Sequence, residues 1–141
     1  MMKRILVAYD DTDAARRALE RAAELAKAFD SEVIVTSVAP LLVGSPRASG
    51  PIDPTDSPAL HARELQTAGA LLSERGIRAE LVTATGDPAG AIAMIADERD
   101  ADLVVVGTRE PGLVERIMRH SVSAEVARRV HRDLLIVHPA H

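Results

Sequence analysis

The chain of 141 residues has no cysteine and no tryptophan, and its aromatic side chains are limited to Tyr9 and Phe29. Without cysteine there is neither a disulfide framework nor a thiolate metal site. Without aromatics there are no stacking platforms of the kind that hold single-stranded nucleic acid, and the core has to be aliphatic. A formal net charge of −4 leaves no basic footprint for duplex DNA. Lys3 and Lys27 are the only lysines, so no Gly-Lys-Ser/Thr phosphate loop exists. The same shortage excludes a receiver-type phosphoacceptor site, which needs a lysine after the fifth strand and an aspartate at the end of the third. Here the third strand ends in Thr83-Ala84-Thr85-Gly86. The opening MMKRILVAYDD reaches acidic residues after a run too short for a signal peptide or a membrane span. The cytoplasm is therefore the expected location, with neither membrane nor nucleic acid as partner.

What is present has the balance of a globular chain, 47% hydrophobic and 27% charged, at a length that suits one domain over 1–141. Ile5 to Tyr9 is an apolar run closed by Asp10-Asp11-Thr12-Asp13, which predicts a buried strand followed by helix-capping residues. Apolar residues at 15, 18, 19, 22, 25, 26 and 29 predict a helix over Ala14 to Phe29. Val33 to Val38 is β-branched and reads as the second strand. Between Ala39 and Pro58, prolines at 40, 46, 51 and 54 with two glycines predict a long, mobile loop. Spacing at 60, 65, 68, 71 and 72 predicts a helix over Ala59 to Arg75, with Gly76 as its C′ residue. Ile77 to Ala84 reads as a third strand, Asp87 as an N-cap, Pro88 as the first helical position and Ala89 to Glu98 as a helix. Leu103 to Val106 and Leu134 to Val137 are continuous apolar runs, the pattern of strands covered on both faces. A last helix runs to Val130.

Strands and helices thus alternate throughout, which with right-handed crossovers predicts an α/β fold: a three-layer, doubly wound, parallel five-stranded sheet of order 3-2-1-4-5. Ligands of such sheets bind beyond the strand carboxyl ends where the strand order reverses. The expected crevice therefore has Ala8 to Asp10 facing Gly107 and Thr108, with Val38 beside them.

Asp10, Asp11 and Asp13 admit two readings, a Mg²⁺ site or caps for the helix that follows. Asp10, at the end of the strand, is the best placed for a ligand. Histidines 61, 120, 131, 138 and 141 are dispersed without metal-ligand spacing. His131 is expected at a helix C-terminus, and His138 and His141 in a solvated tail. No hydrolase elbow is present, so neither a catalytic residue nor a metal site is assigned.

The opening ILVAYDDTDAARRALERAAELA, the turn Gly86-Asp87-Pro88, the strand ADLVVVGT and the closing SVSAEVARRVHRDLLIVHP, in this order over nearly the whole length, resemble the universal stress protein family. The resemblance implies a Rossmann-like fold of the adenine nucleotide alpha hydrolase kind. It also implies a cofactor-binding set of Ala8, Asp10, Val38, Gly107, Thr108, Ser121, Val122 and Ser123. ATP-binding members carry G-x2-G-x9-G-(S/T). Laid on this chain from Gly107, that pattern puts Glu110 and His120 at its second and third glycines and Ser121 at its hydroxyl. Glycines in phosphate loops let the backbone approach the anion without a Cβ. A glutamate there adds a like charge, and at ~4 Å with an effective dielectric near 20 this costs about 4 kcal/mol before screening. Arg109, Arg116 and Arg119 are read as a solvated helix face or as an offset to that charge, and Gly112 serves the turn if its register shifts. Ser121 and Ser123 either hold an anion at a helix N-terminus or cap the helix.

The family's habit of pairing fifth strands across a two-fold implies a homodimer. The resulting expectation is a homodimeric stress-response or regulatory module that meets a protein partner, with ATP bound weakly or not at all and no cofactor. The alternative is a nucleotide switch that holds ATP with Mg²⁺ and hydrolyses it slowly or not at all. A more distant reading is a subunit-like relative of a larger α/β enzyme.

Overall fold

The computed structural model describes residues 2–39, 58–108 and 122–139, with the backbone alone at 39, 58 and 122–125. The chain runs β1 (Arg4–Ala8), α1 (Asp13–Phe29), β2 (Glu32–Ala39), α2 (Pro58–Glu74), β3 (Ala79–Thr85), α3 (Pro88–Glu98), β4 (Leu103–Gly107), α4 (Val122–Arg129) and β5 (Asp133–Val137). The five strands form one parallel sheet of order β3-β2-β1-β4-β5. The loop expected between Ala39 and Pro58 lies outside the described residues.

Alternate residues of β1, β2, β4 and β5 feed two separate cores, while β3 contributes to one of them only. Ile5, Val7 and Tyr9 of the first strand segment join Val33, Val35 and Val105 against α1 and α2. Leu6, Ile34, Val104 and Val106 join Ile92, Ile95 and Val126 of α3 and α4 on the opposite face. The scarcity of aromatics shows in how α1 packs. Its buried stripe is Ala14, Ala15, Ala18, Leu19, Ala22, Ala23 and Ala26, so the helix lies close against the sheet with little side chain between them. Phe29 is 49% exposed at its end.

Three helices stop in the same way. Ser31 N donates to Ala26 O, Ile77 N to Leu72 O and Ala101 N to Ala96 O, each at 2.9–3.0 Å. The residues just before these donors, Asp30, Gly76 and Asp100, hold φ of 53, 73 and 52°. This six-to-one bond around a left-handed residue closes the helix and satisfies its last carbonyls. It explains why β3 begins at Ala79 and not at Ile77: Ile77 is buried as part of the stop of α2.

Asp87 holds the start of α3. Its side chain accepts from Gly90 N at 3.1 Å, with Pro88 at the first helical position as predicted. The same carboxylate pairs with Arg129 at the end of α4. Arg132 ties the approach to β5 onto the end of α3, donating to Asp100 Oδ1 at 3.0 Å and Ala101 O at 2.8 Å. Replacing Asp87 with alanine is expected to lower stability by about 1 kcal/mol, the worth of an N-cap. Asp87→Asn should keep most of it, because the exposed ion pair contributes little. Urea unfolding midpoints of the two variants separate the cap from the charge.

Candidate functional site

The crevice is created where the sheet stops pairing at its centre. The ladder between β1 and β4 ends at Val7–Val105. Each strand continues with its outer neighbour, β1 to Ala8–Thr36 and β4 to Gly107–Val137. Beyond that point Tyr9 N donates outward to Thr36 O at 2.9 Å and Thr108 N outward to Val137 O at 3.0 Å. The two backbones part because each has turned to its other neighbour. This brings the ends of both strands, Ala8 to Asp10 and Gly107 to Thr108, to the two sides of one opening at the switch point.

Ala8 and Val38 sit half-buried on the α3 side of the sheet and pack on the same core. Thr36, in register with Ala8, is fully buried there, and its hydroxyl has no hydrogen-bond partner among the described residues. Asp10 is exposed and its Oδ1 accepts from the Thr12 hydroxyl at 2.6 Å and from Thr12 N at 3.2 Å. Thr12 is the N-cap of α1, accepting from Ala15 N at 3.2 Å. The acidic group therefore divides its work: Thr12 caps, Asp10 orients the cap, and Asp11 does neither. Asp11 takes a left-handed φ of 60°, which aspartate tolerates better than most residues. Its carboxylate receives the Tyr9 hydroxyl at 2.7 Å and Arg16 Nη2 at 3.1 Å. The Tyr9 hydrogen bond holds the Asp11 carboxyl below its ordinary range. Burial, followed by the bond to Asp11, pushes the Tyr9 phenol up to about 12.

Gly107 has a reason to be glycine that involves no ligand. A Cβ there would stand 2.4 Å from Ala14 O and 2.6 Å from Ala14 C, backbone atoms in the first turn of α1. The one retained glycine of the turn is thus required by helix–sheet contact, and its presence says nothing by itself about phosphate. Of the other residues expected here, Ser121 lies outside the described residues, as do Arg109, Glu110, Gly112, Arg116, Arg119 and His120. Val122 and Ser123 begin α4, described by backbone alone. His131 follows α4 closely and is exposed, as is His138.

A second polar group lies on the α2 side of the same strand ends, and sequence spacing did not assemble it. Ser37 of β2 is 1% exposed and His61 of α2 is 7% exposed. Ser37 Oγ lies 2.5 Å from His61 Nδ1 and donates to Glu64 Oε2 at 3.3 Å. His61 Nδ1 and Glu64 Oε2 are 3.4 Å apart. Burial raises the Glu64 carboxyl above its ordinary range, with His61 and Ser37 opposing and the charges of Asp10 and Asp11 adding to the rise. The signal for this group was the phase of His61, which falls on the buried stripe of Leu65, Ala68 and Leu72.

Among the described residues, no cluster of His, Asp and Glu has the makings of a metal site, and no helix is long and apolar enough to cross a membrane.

A doubly wound parallel sheet with its opening between the first and fourth strands defines the class of α/β folds that hold ligands at the switch point. Within that class, the model of the universal stress protein family matches residues 1–138, and the chain belongs to that family. A universal stress protein of Synechocystis is 34% identical over 126 residues, covering 89% of this chain and 79% of the relative. A solved universal stress protein in complex with cAMP superposes with a TM-score of 0.78 at 29% identity, covering 99% of both chains. One from Archaeoglobus fulgidus in complex with dAMP gives 0.70 at 27% identity, over 97% of this chain and 99% of that one.

Gly107→Ala should destabilise the protein by about 3 kcal/mol with no nucleotide present, because fixed backbone stands in the way of the new methyl group. Chemical denaturation of ligand-free protein measures it. Tyr9 is the sole tyrosine, and tryptophan is absent, so an ultraviolet alkaline titration reads this phenol alone. Its midpoint should lie near 12 in the native protein and near 10 in denaturant, and Asp11→Asn should lower the native value. Stability carried by the neutral phenol is present below its unfolded value and lost as pH rises towards 12.

Proposed function

We propose that the chain acts as one unit over 1–141, a homodimeric universal stress protein of the cytoplasm that binds an adenine nucleotide with little phosphate charge and has weak or no affinity for ATP. The observation that carries this reading is the parting of β1 and β4 between Ala8 and Gly107, in a fold shared with relatives solved in complex with cAMP and dAMP. Ala8 and Val38 would form the apolar floor for the base, Asp10 would face base or ribose, and Gly107 and Thr108 with Ser121, Val122 and Ser123 would border the phosphate. Glu110 and His120 stand where ATP-binding members have glycine. A glutamate repels a triphosphate far more than a cyclic or single phosphate. The nucleotide acts in this reading as a signal that alters how the dimer meets a protein partner, and no chemistry is done on it. Mg²⁺ with ATP belongs to the alternative, a slow switch.

The outer edge of β5 supports the dimer. Among the described residues it borders no further strand, and Leu134, Leu135 and Ile136 are each half-buried. Apolar strand edges of this kind are usually paired or covered.

Light scattering should give two chains per particle. Calorimetric titration of that species with cAMP, AMP and Mg-ATP should give binding for the first two and little heat with ATP. The double variant Glu110→Gly/His120→Gly should gain ATP by tenfold or more, about 1.4 kcal/mol at the least. Tight ATP binding by the unaltered protein would favour the switch, and no binding of any adenine nucleotide would remove the ligand from the reading.

A further inference from the structure

Ser37, His61 and Glu64 have the composition of a hydrolytic triad and not its wiring. In a triad the carboxylate and the nucleophile engage opposite nitrogens of the imidazole. Here the hydroxyl at 2.5 Å and the carboxylate at 3.4 Å both address Nδ1, and a serine 1% exposed meets no substrate. The arrangement has a different property, which follows from counting protons. Ser37 has one hydroxyl hydrogen and gives it to Glu64, so the contact with His61 is satisfied by Nδ1–H donating to Ser37 Oγ. The chain of bonds runs imidazole, hydroxyl, carboxylate, with Ser37 and His61 buried and the Glu64 side chain 11% exposed. It either carries the charge of Glu64 or takes up one proton and loses it.

The surroundings decide which state is favoured. From the β1–α1 turn, Asp10 and Asp11 act on Glu64 with like charge. Tyr9 and Arg16 are both bonded to Asp11. On α2 itself, Arg63 is exposed, and Glu80, the ionisable residue of β3, is held by Arg99 at 2.8 Å. Among the described residues, the Glu64 carboxylate thus has the like charges of Asp10 and Asp11 on one side and His61 and Ser37 opposing them on the other.

We propose that Ser37, His61 and Glu64 form a one-proton site coupled to the crevice, so that an anionic nucleotide binds together with a proton taken from solvent onto this group. The inference rests on the nucleotide reading given above. An anionic nucleotide in the crevice adds negative charge to the carboxyl end of the sheet, which already holds Asp10, Asp11 and Glu64, and protonation of the Ser37–His61–Glu64 group removes one of those charges. Binding and protonation therefore favour each other, by the same factor in each direction.

Titration with cAMP in buffers of different ionisation enthalpy counts the protons. The wild type should take up a substantial fraction of one proton per nucleotide, and its affinity should fall by up to about tenfold per pH unit above the titration of the cluster. Glu64→Gln should show no uptake and a flat profile. His61→Gln, which removes the counterweight, should move uptake to higher pH, a shift that a merely structural role does not produce. Equal proton counts in wild type and Glu64→Gln overturn the proposal. A second arm needs no ligand. A carboxyl raised by the fold keeps its stabilising proton below the ordinary value of 4.5 and loses that stability as pH rises through its folded value. Over that window the wild type should lose stability relative to Glu64→Gln, so that the variant is the more stable of the two at neutral pH. If cAMP fails to bind, the nucleotide reading and the coupling to it both fail. The stability arm then still decides whether the group is a one-proton site, and identical pH profiles overturn that as well.

Discussion

Every backbone amide in a buried sheet needs an acceptor, and at the centre of this sheet that requirement can be met in only one of two directions. Past Val7 and Val105 the first and fourth strands each turn outward, Tyr9 to Thr36 and Thr108 to Val137. The crevice is what remains between them. The first turn of α1 closes one wall by resting on Gly107. The opening is therefore fixed by hydrogen bonding and by one backbone-to-backbone contact before any side chain has a functional part.

Two ionisable systems share the carboxyl end of the sheet and differ in how they handle charge. Asp11, Tyr9 and Arg16 form an open network in which the guanidinium and the phenol both favour the carboxylate. Ser37, His61 and Glu64 are enclosed, and there burial works against it. The first network holds its carboxylate ionised through hydrogen bonds, and in the second burial disfavours the ionised form.

The fold was legible because a doubly wound sheet writes itself twice, in apolar runs for the strands and in 3.6-residue spacing for the helices. Strand order, caps and the left-handed stop at Gly76 all follow from local rules. The boundary at Ile77 was misread because a buried apolar residue after a helix looks the same whether it begins a strand or completes a helix stop. The site was half legible. Residues at strand ends, Ala8 and Gly107, are placed by topology. Ser37 and His61 are far apart in sequence and meet through a strand and a helix that say nothing of each other, so only their polarity within apolar stripes marked them. Gly107 illustrates the opposite hazard, a motif residue whose identity is explained by packing.

The two edges of the sheet are unlike. At β3 the ion pair of Glu80 and Arg99 stands beside the edge and Thr83 and Thr85 are exposed, so an incoming strand would have to displace a fixed charge pair. At β5 the edge is aliphatic and uncharged from Leu134 to Val137. If two copies meet through β5 as proposed, each uses up the aliphatic edge that drew them together, and the edge left on either side is the more polar β3. A dimer of that kind would present a different surface from the one that built it, so the proposed pairing would tend to stop at two.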